Sequence, residues 1–223
     1  MKTDYSKLEM FKHGDGYNHG VGVAQRMDTD FTYGPLVGRM ANKAHDYGIL
    51  AQCISESGNL PYVETGTLYG ASLMVACHVK NRFNLGGTCF GIDPLKGYYP
   101  AKNTLPDMRD PLTGLVPNEK ILLENLRTEN LDNYALVPQE SFPFPESIAD
   151  MTFGCAFIDG DHDGEMPWLD WLNFKLRTKH YIVFDNYDLI HDSVRKAVIM
   201  AARDPDWDLV HLSSIVAVFK SKI

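Results

Sequence analysis

No apolar run of about 18 residues occurs anywhere in the chain, and a helical membrane span needs roughly that length. The opening stretch MKTDYSKLEMFKHGDG is polar and lacks the apolar centre of a secretory signal, so a cytoplasmic protein with no membrane role is expected. Cysteine is sparse. Cys53, Cys77, Cys89 and Cys155 lie far apart, with no Cys-x-x-Cys or Cys/His cluster that would bind zinc, and they read as buried reduced thiols. Positive charge is short as well: 21 Lys and Arg against 29 Asp and Glu leave a formal charge of −8. A broad nucleic-acid surface needs clustered Lys and Arg, so that partner class is disfavoured, although a local basic patch stays open. An acidic balance can favour a cationic ligand.

Also missing are the Gly-Lys-Ser/Thr of a nucleotide-phosphate loop and the Gly-x-Gly-x-x-Gly of nicotinamide and flavin enzymes. What is present is alternation. From about residue 60, short apolar runs alternate with helical patterns, which points to a parallel sheet covered on both faces. The strand candidates are Pro61–Glu64, Thr88–Ile92, Tyr134–Val137, Cys155–Ile158 and Tyr181–Phe184. Helical patterns follow at Ser72–Ala76, EKILLENLRTEN, MPWLDWLNFKLR and DSVRKAVIMAAR. The tail differs: Trp207–Leu212 and Ile215–Phe219 flank Ser213-Ser214 and read as a hairpin closing the sheet. The fold class is therefore α/β, a Rossmann-like seven-stranded, mostly parallel sheet with a C-terminal antiparallel pair. Residues 1–60, rich in Gly, Asp, His and Tyr and then helical, form an N-terminal extension expected to cap the substrate; residues 61–223 form the main domain.

Glu64-Thr65-Gly66-Thr67-Leu68-Tyr69-Gly70-Ala71-Ser72 sits between a predicted strand and a predicted helix. Glycines there let the backbone turn sharply and approach a ligand, and the helix start offers free N–H groups. Such turns also occur in α/β proteins that bind nothing. The next strand ends at Asp93-Pro94, and an acid at that point can accept both hydroxyls of a bound ribose. Its plainer reading is a strand-end aspartate before proline. The two features in this order are far less frequent by chance than either alone.

VETGTLYGASLM resembles motif I of class I S-adenosylmethionine-dependent methyltransferases, and its Glu-x-Gly-x-x-x-Gly-x-Ser spacing is closest to the catechol O-methyltransferase group. GIDP resembles motif II, and QESFP resembles the adenine-side loop after the third strand. FIDGDHD and YIVFDN resemble the segments after strands four and five of small bacterial O-methyltransferases. The likeness runs in order from about residue 60 to 220, and the first 60 residues carry none. It implies a cofactor, S-adenosylmethionine, whose methionine end lies near Gly66, Gly70 and Ser72, within a turn that includes Thr65 and Thr67. Glu64 would sit beneath it, Asp93, followed by Pro94, would hold the ribose, and Glu140 and Ser141 would flank the adenine. Asp159 would border the same site.

Asp159 ends the fourth strand, and Asp185 and Asn186 end the fifth. Neighbouring strand ends of a parallel sheet meet at one rim, and three oxygen ligands there suit a hard divalent ion such as Mg²⁺. The catechol O-methyltransferase group places Asp, Asp and Asn at these points. An ion so held would lower the pKa of an acceptor hydroxyl and fix its oxygen. These segments are also good turn sequences, and related methyltransferases keep the strand-four acid without a metal. The family's general base is a lysine three positions after that acid; here the position is His162. Histidine can serve as a base near neutral pH, with Asp161 as the rival.

The remaining histidines show no metal-like spacing, and Trp168 and Trp171 fit helix packing against the sheet. The stretch from Leu95 to Pro117, with Tyr98, Tyr99, Asp107 and Arg109, reads equally as a lid or as a plain insertion; Phe31 and Tyr33 are candidates for the acceptor pocket. The reading that follows is an O-methyltransferase, divalent-metal-assisted, acting on a small hydroxylated acceptor such as a phenol, a sugar or a secondary metabolite. Two alternatives stand beside it: a metal-independent methyltransferase of nitrogen or of a macromolecule, against which the absence of an Asn-Pro-Pro-Tyr motif speaks, and a non-catalytic cofactor-binding protein. A homodimer is compatible with all of these.

Overall fold

The computed structural model describes residues 14–29, 44–95, 119–187, 190–213 and 215–223. The loop residues Tyr98, Tyr99, Asp107 and Arg109 and the N-terminal Phe31 and Tyr33 lie outside them. In chain order the elements are α1 (Asp15–Thr29), α2 (Ala44–Glu56), β1 (Tyr62–Thr65), α3 (Ala71–Arg82), β2 (Cys89–Ile92), α4 (Glu119–Thr128) and β3 (Tyr134–Val137). They continue with β4 (Phe153–Ile158), α5 (Met166–Lys175), β5 (Thr178–Phe184), α6 (Asp192–Ala201), β6 (Trp207–Leu212) and β7 (Ala217–Ser221). The seven strands form one sheet in the order β3-β2-β1-β4-β5-β7-β6. β1 to β5 pair in parallel, and β7 runs antiparallel to both β5 and β6.

Two connections stand out, the second of them different from the sequence reading. The β3–β4 connection carries a 3₁₀ turn, Glu146–Ile148, where a full βα unit would place a helix; Pro138, Pro143 and Pro145 crowd that stretch, and proline disrupts a helix interior. The link from β6 to β7 spans four residues, 213–216, not two. There the Ser213 hydroxyl accepts the N–H groups of Ile215 and Val216 at 3.1 and 2.8 Å, a side-chain turn that delays the last strand.

Alternate residues of each strand face opposite layers, as the two-residue pleat requires. Tyr62, Cys155, Phe157, Tyr181 and Val183 enter one apolar core together with α1, α2 and α3. Val63, Ala156, Ile158, Ile182 and Phe184 enter the other, against α5 and α6. In the second core Trp171 is fully buried and packs on Phe184, Trp207 and Phe219 with ring centroids 4.9–5.8 Å apart, so it is a packing residue, as its helical position suggests. α3 is buried on nearly every face from Ala71 to Cys77 because α1 and α2 cover the side turned away from the sheet. Among the described residues no helix is long and apolar enough to cross a membrane.

Register decides what meets at the rim. Thr65 lies opposite Ile92 on one side and Ile158 on the other, and Ile158 lies opposite Phe184. The residues that follow these strand ends therefore emerge side by side. Gly66 N–H donates to Ile92, Asp159 N–H to Thr65, Asp185 N–H to Ile158 and Asp93 N–H to Val137, at 3.0–3.2 Å. The strand order reverses between β1 and β4, which makes this rim the topological switch point where open α/β sheets bind ligands.

Candidate active site

The β1–α3 turn is shaped by backbone conformations that side chains oppose. Gly66 has φ of +79°, and a Cβ there would come within 2.0 Å of the Asp159 carbonyl oxygen. Gly70, the residue before α3, has φ of +91°. Between them Leu68 is also left-handed, and its N–H donates to Asp93 Oδ2 at 2.9 Å. Asp93 Oδ1 accepts the Leu95 N–H at 2.8 Å. This aspartate thus links the ends of β1 and β2, and Pro94 follows it half-buried. α4 braces the turn from outside: Asn125 donates to the Tyr69 carbonyl at 2.9 Å, and the tip of Leu122 occupies the space a Gly70 side chain would need.

Glu64 points into the α2/α3 layer and is completely buried. Tyr62 donates its hydroxyl to Glu64 Oε2 at 2.8 Å. Burial pushes the carboxyl up to about 8, against the opposing pull of the Tyr62, Ser72 and Thr67 hydroxyls; an ionised carboxylate in such a place lacks the solvation it would have in water. Beyond that pull, Glu64 Oε1 and Thr67 Oγ1 are buried and make no hydrogen bond of ordinary geometry among the described residues. Two such atoms beside one turn are a demand for a polar ligand or for water. Ser72 is buried in the first turn of α3.

On the opposite face Thr65 donates its hydroxyl to Asp170 Oδ2 at 3.0 Å. Burial raises Asp170 to about 6, while the hydroxyls of Ser141 and Thr65 pull it down. Asp170 thereby ties the loop after β3 to the end of β1, and it was not among the sequence candidates. Its signal was available: in α5 it shares a helical face with Pro167, Trp171 and Phe174, all buried, and a carboxylate on an apolar face needs a reason. Glu140, also after β3, is exposed.

At the ends of β4 and β5 the Asn186 side-chain amide lies 3.1 Å from both Asp159 Oδ1 and Asp185 Oδ2, and its nitrogen turned that way donates to both. Asn186 itself has φ of +57°, a conformation asparagine accepts more readily than most residues. Asp185 is buried and Asp159 half-buried. His162 Nε2 is 3.3 Å from Asp159 Oδ1, and its ring packs edge-on against His191 at 5.0 Å. Asp161 is exposed and accepts the Asp163 N–H at 2.9 Å, a turn within its own loop. The rim thus gathers two carboxylates, an amide and an imidazole. Among the described residues no three His, Cys, Asp or Glu side chains are grouped to hold a metal ion; the trio here contains two such groups and an amide.

Residues 63–187, more than half of the chain, match the family model described as a methyltransferase domain. No curated protein matches the chain. Among solved structures, the O-methyltransferase NovP is 16% identical, with 77% of each chain covered and a TM-score of 0.61. Cofactor-bound Rv0187 from MTB is 15% identical, covering 96% of this chain and 93% of its own at a TM-score of 0.61. The O-methyltransferase from Bacillus cereus in complex with SAH is 13% identical, covering 96% and 93% at 0.56. At these identities the likeness is one of fold. The family match, the sheet order and the glycine turn at its switch point agree, and the chain belongs to the methyltransferase-domain family as a class I S-adenosylmethionine-dependent methyltransferase.

Proposed function

We propose that the protein is an O-methyltransferase that acts on a small hydroxylated acceptor with the help of a divalent ion held by Asp159, Asp185 and Asn186. The observation that carries this reading is the convergence of those three side chains, with the Asn186 amide 3.1 Å from both carboxylates, beside the β1–α3 turn. With the amide oxygen turned inward the trio offers three oxygens and no thiolate, a donor set that suits Mg²⁺. Such an ion, when bound, would lower the pKa of an acceptor hydroxyl. NovP and the Bacillus cereus protein are both O-methyltransferases, which supports oxygen as the acceptor atom.

S-adenosylmethionine supplies an electrophilic methyl group, and the products are the methyl ether and S-adenosylhomocysteine. The two orphaned atoms, Glu64 Oε1 and Thr67 Oγ1, fit a polar methionine end lying along Thr65, Gly66, Gly70 and Ser72. Asp93, already fixed by Leu68 and Leu95, presents a carboxylate to the ribose, with Pro94 shaping the strand exit. Glu140 and Ser141 border the adenine, Ser141 steadied by Asp170. His162 Nε2, held near Asp159, takes the acceptor's proton, and Asp161, engaged in its own turn, is the weaker candidate. α2 and the residues before it would cover the acceptor side. Holding two reacting atoms in line can be worth roughly 7–11 kcal/mol, so positioning is the main task of these residues.

A metal-independent variant of this reading has its own support, since an Asn186 nitrogen bridging the two carboxylates satisfies them without an ion. Calorimetric titration separates the levels. S-adenosylhomocysteine is expected to bind the wild type at one site and to fail with a folded Asp93→Ala variant. Mn²⁺ added to the S-adenosylhomocysteine-loaded protein is expected to bind at one site seen by electron paramagnetic resonance and to be lost in Asp185→Ala. Mn²⁺ binding equally to both proteins would remove the metal role and leave the cofactor site standing.

A further inference from the structure

The exits of β1, β3 and β4 meet at one buried carboxylate of α5. Asp170 is only 1% exposed. It accepts the Thr65 hydroxyl, at the end of β1, at 3.0 Å and the hydroxyl of Ser141, in the loop after β3. Gly160, just past β4, packs so closely that an added Cβ would lie 3.2 Å from Thr65 Oγ1 and 3.5 Å from Asp170 Oδ2. Burial raises the carboxyl to about 6; the two hydroxyls and the His162 imidazole support its charge, and Asp161 opposes it. Within α5, Lys175 is paired with Asp204. On the elements packed against α5, Asp192 of α6 is paired with Arg195 and Lys196, and Lys179 and His180 are exposed at the start of β5. Tyr181 and Cys155 face the opposite core, as does Glu64 through its bond to Tyr62. Asp159 and Asp185 follow β4 and β5 at the rim.

A carboxylate only accepts hydrogen bonds, so it fixes both hydroxyls as donors; the neutral acid brings a proton of its own and leaves one of them to turn. Bonds to an ionised acceptor are also roughly twice as strong as neutral ones. Resting on the methyltransferase reading of the rim, we propose that Asp170 is a positioning residue whose ionisation sets cofactor affinity. As a carboxylate it holds the end of β1 and the loop after β3 in the arrangement that binds S-adenosylmethionine. As a neutral acid it loosens that loop. Binding therefore favours the ionised form, so affinity is full above the titration of this carboxyl and declines as pH falls through it.

The test is calorimetric titration of the full chain with S-adenosylhomocysteine between about pH 5 and about pH 8. The wild type is expected to lose about fivefold to tenfold in affinity toward the acid end, centred near pH 6. Asp170→Asn, uncharged throughout, is expected to bind at the alkaline end about as the wild type does at the acid end. The ratio of wild-type to variant affinity separates Asp170 from the histidines and other carboxylates of the rim, which titrate in both proteins. Ser141→Ala keeps Asp170 and removes the loop's bond, and its ratio to the wild type is expected to change in the same way. It decides even where Asp170→Asn fails to fold. A ratio that stays constant across the range, for either folded variant, would overturn the proposal, because a merely structural role lowers affinity equally at every pH. Absence of S-adenosylhomocysteine binding by the wild type at the alkaline end would instead break the reading on which the proposal rests.

Discussion

Glu64 shows how one residue at the candidate site can be costly to the fold. Its carboxyl has an ordinary pKa of 4.5 and is raised to about 8 by complete burial. A raised folded-state pKa means that the stability linked to this proton is fully present below about pH 4.5, declines as the unfolded chain ionises, and is gone above about pH 8. At roughly 1.4 kcal/mol per pH unit the window is worth on the order of 5 kcal/mol. Glu64→Gln, which imitates the protonated form, is expected to match the wild type at pH 4.5 and to exceed it in urea stability at pH 9. Parallel curves for the two proteins across that range would show that the group titrates normally. Lys80 is the opposite case, a buried ammonium with its donors fully used: Nζ bonds to the carbonyls of Gly58, Leu60 and Gly86 at 2.6–3.0 Å, and the loops around β1 close on it.

Among the elements, the β1–α3 turn governs the site, and its two glycines are constrained for different reasons. At Gly70 a Cβ would meet only the flexible tip of Leu122, at 2.3 Å, which can swing away. Gly70→Ala is therefore expected to cost about 1–2 kcal/mol, mostly for the left-handed backbone. At Gly66 the obstacle is the Asp159 backbone, 2.0 Å from an added Cβ, and β4 cannot retreat without breaking its pairing with β1. Gly66→Ala is expected to lose more than about 4 kcal/mol, in the range reserved for severe steric or burial faults, and to abolish S-adenosylhomocysteine binding. Chemical denaturation of both variants checks the contrast; equal losses would mean the strands yield more easily than their register implies.

For the whole molecule, the N-terminal helices belong to the core. Ile49, Leu50, Ala51, Cys53 and Ile54 of α2 are each at most 1% exposed, and α2 packs on α3, β4 and β5. α1 is tied further along the chain: Arg26 donates to Glu129 Oε2 at 3.0 Å, and His78 of α3 meets the same oxygen at 2.5 Å. A chain beginning at residue 61 would expose the apolar face of α3 to water. It is expected to show no cooperative unfolding transition by circular dichroism, and the full chain is expected to unfold in one step. A sharp transition in the truncated chain would make the first two helices an appendage. The same packing places Asp46 and Tyr47 beside Asp185, so the layer that completes the core also reaches the rim.

How much of this was legible in the sequence follows from the range of the forces involved. Strand and helix periodicity, the acid at each strand end and the glycine spacing are local facts, readable because a pleat and a turn impose them on neighbouring residues. They determined the α/β class, the seven strands and the candidate rim from Glu64 to Asn186. Local signals did not reveal Asp170 or Tyr62, whose hydrogen bonds depend on partners the fold brings near. The burial of α2 was likewise beyond them, because its partner α3 follows a separate strand. Parallel register decided that Asp93, Asp159 and Asp185 emerge together, and that is a property of long-range pairing. The sequence by itself determined which residues could do chemistry; only the tertiary structure decided which stand within reach of one another, since distance across a sheet is set by packing and not by separation along the chain.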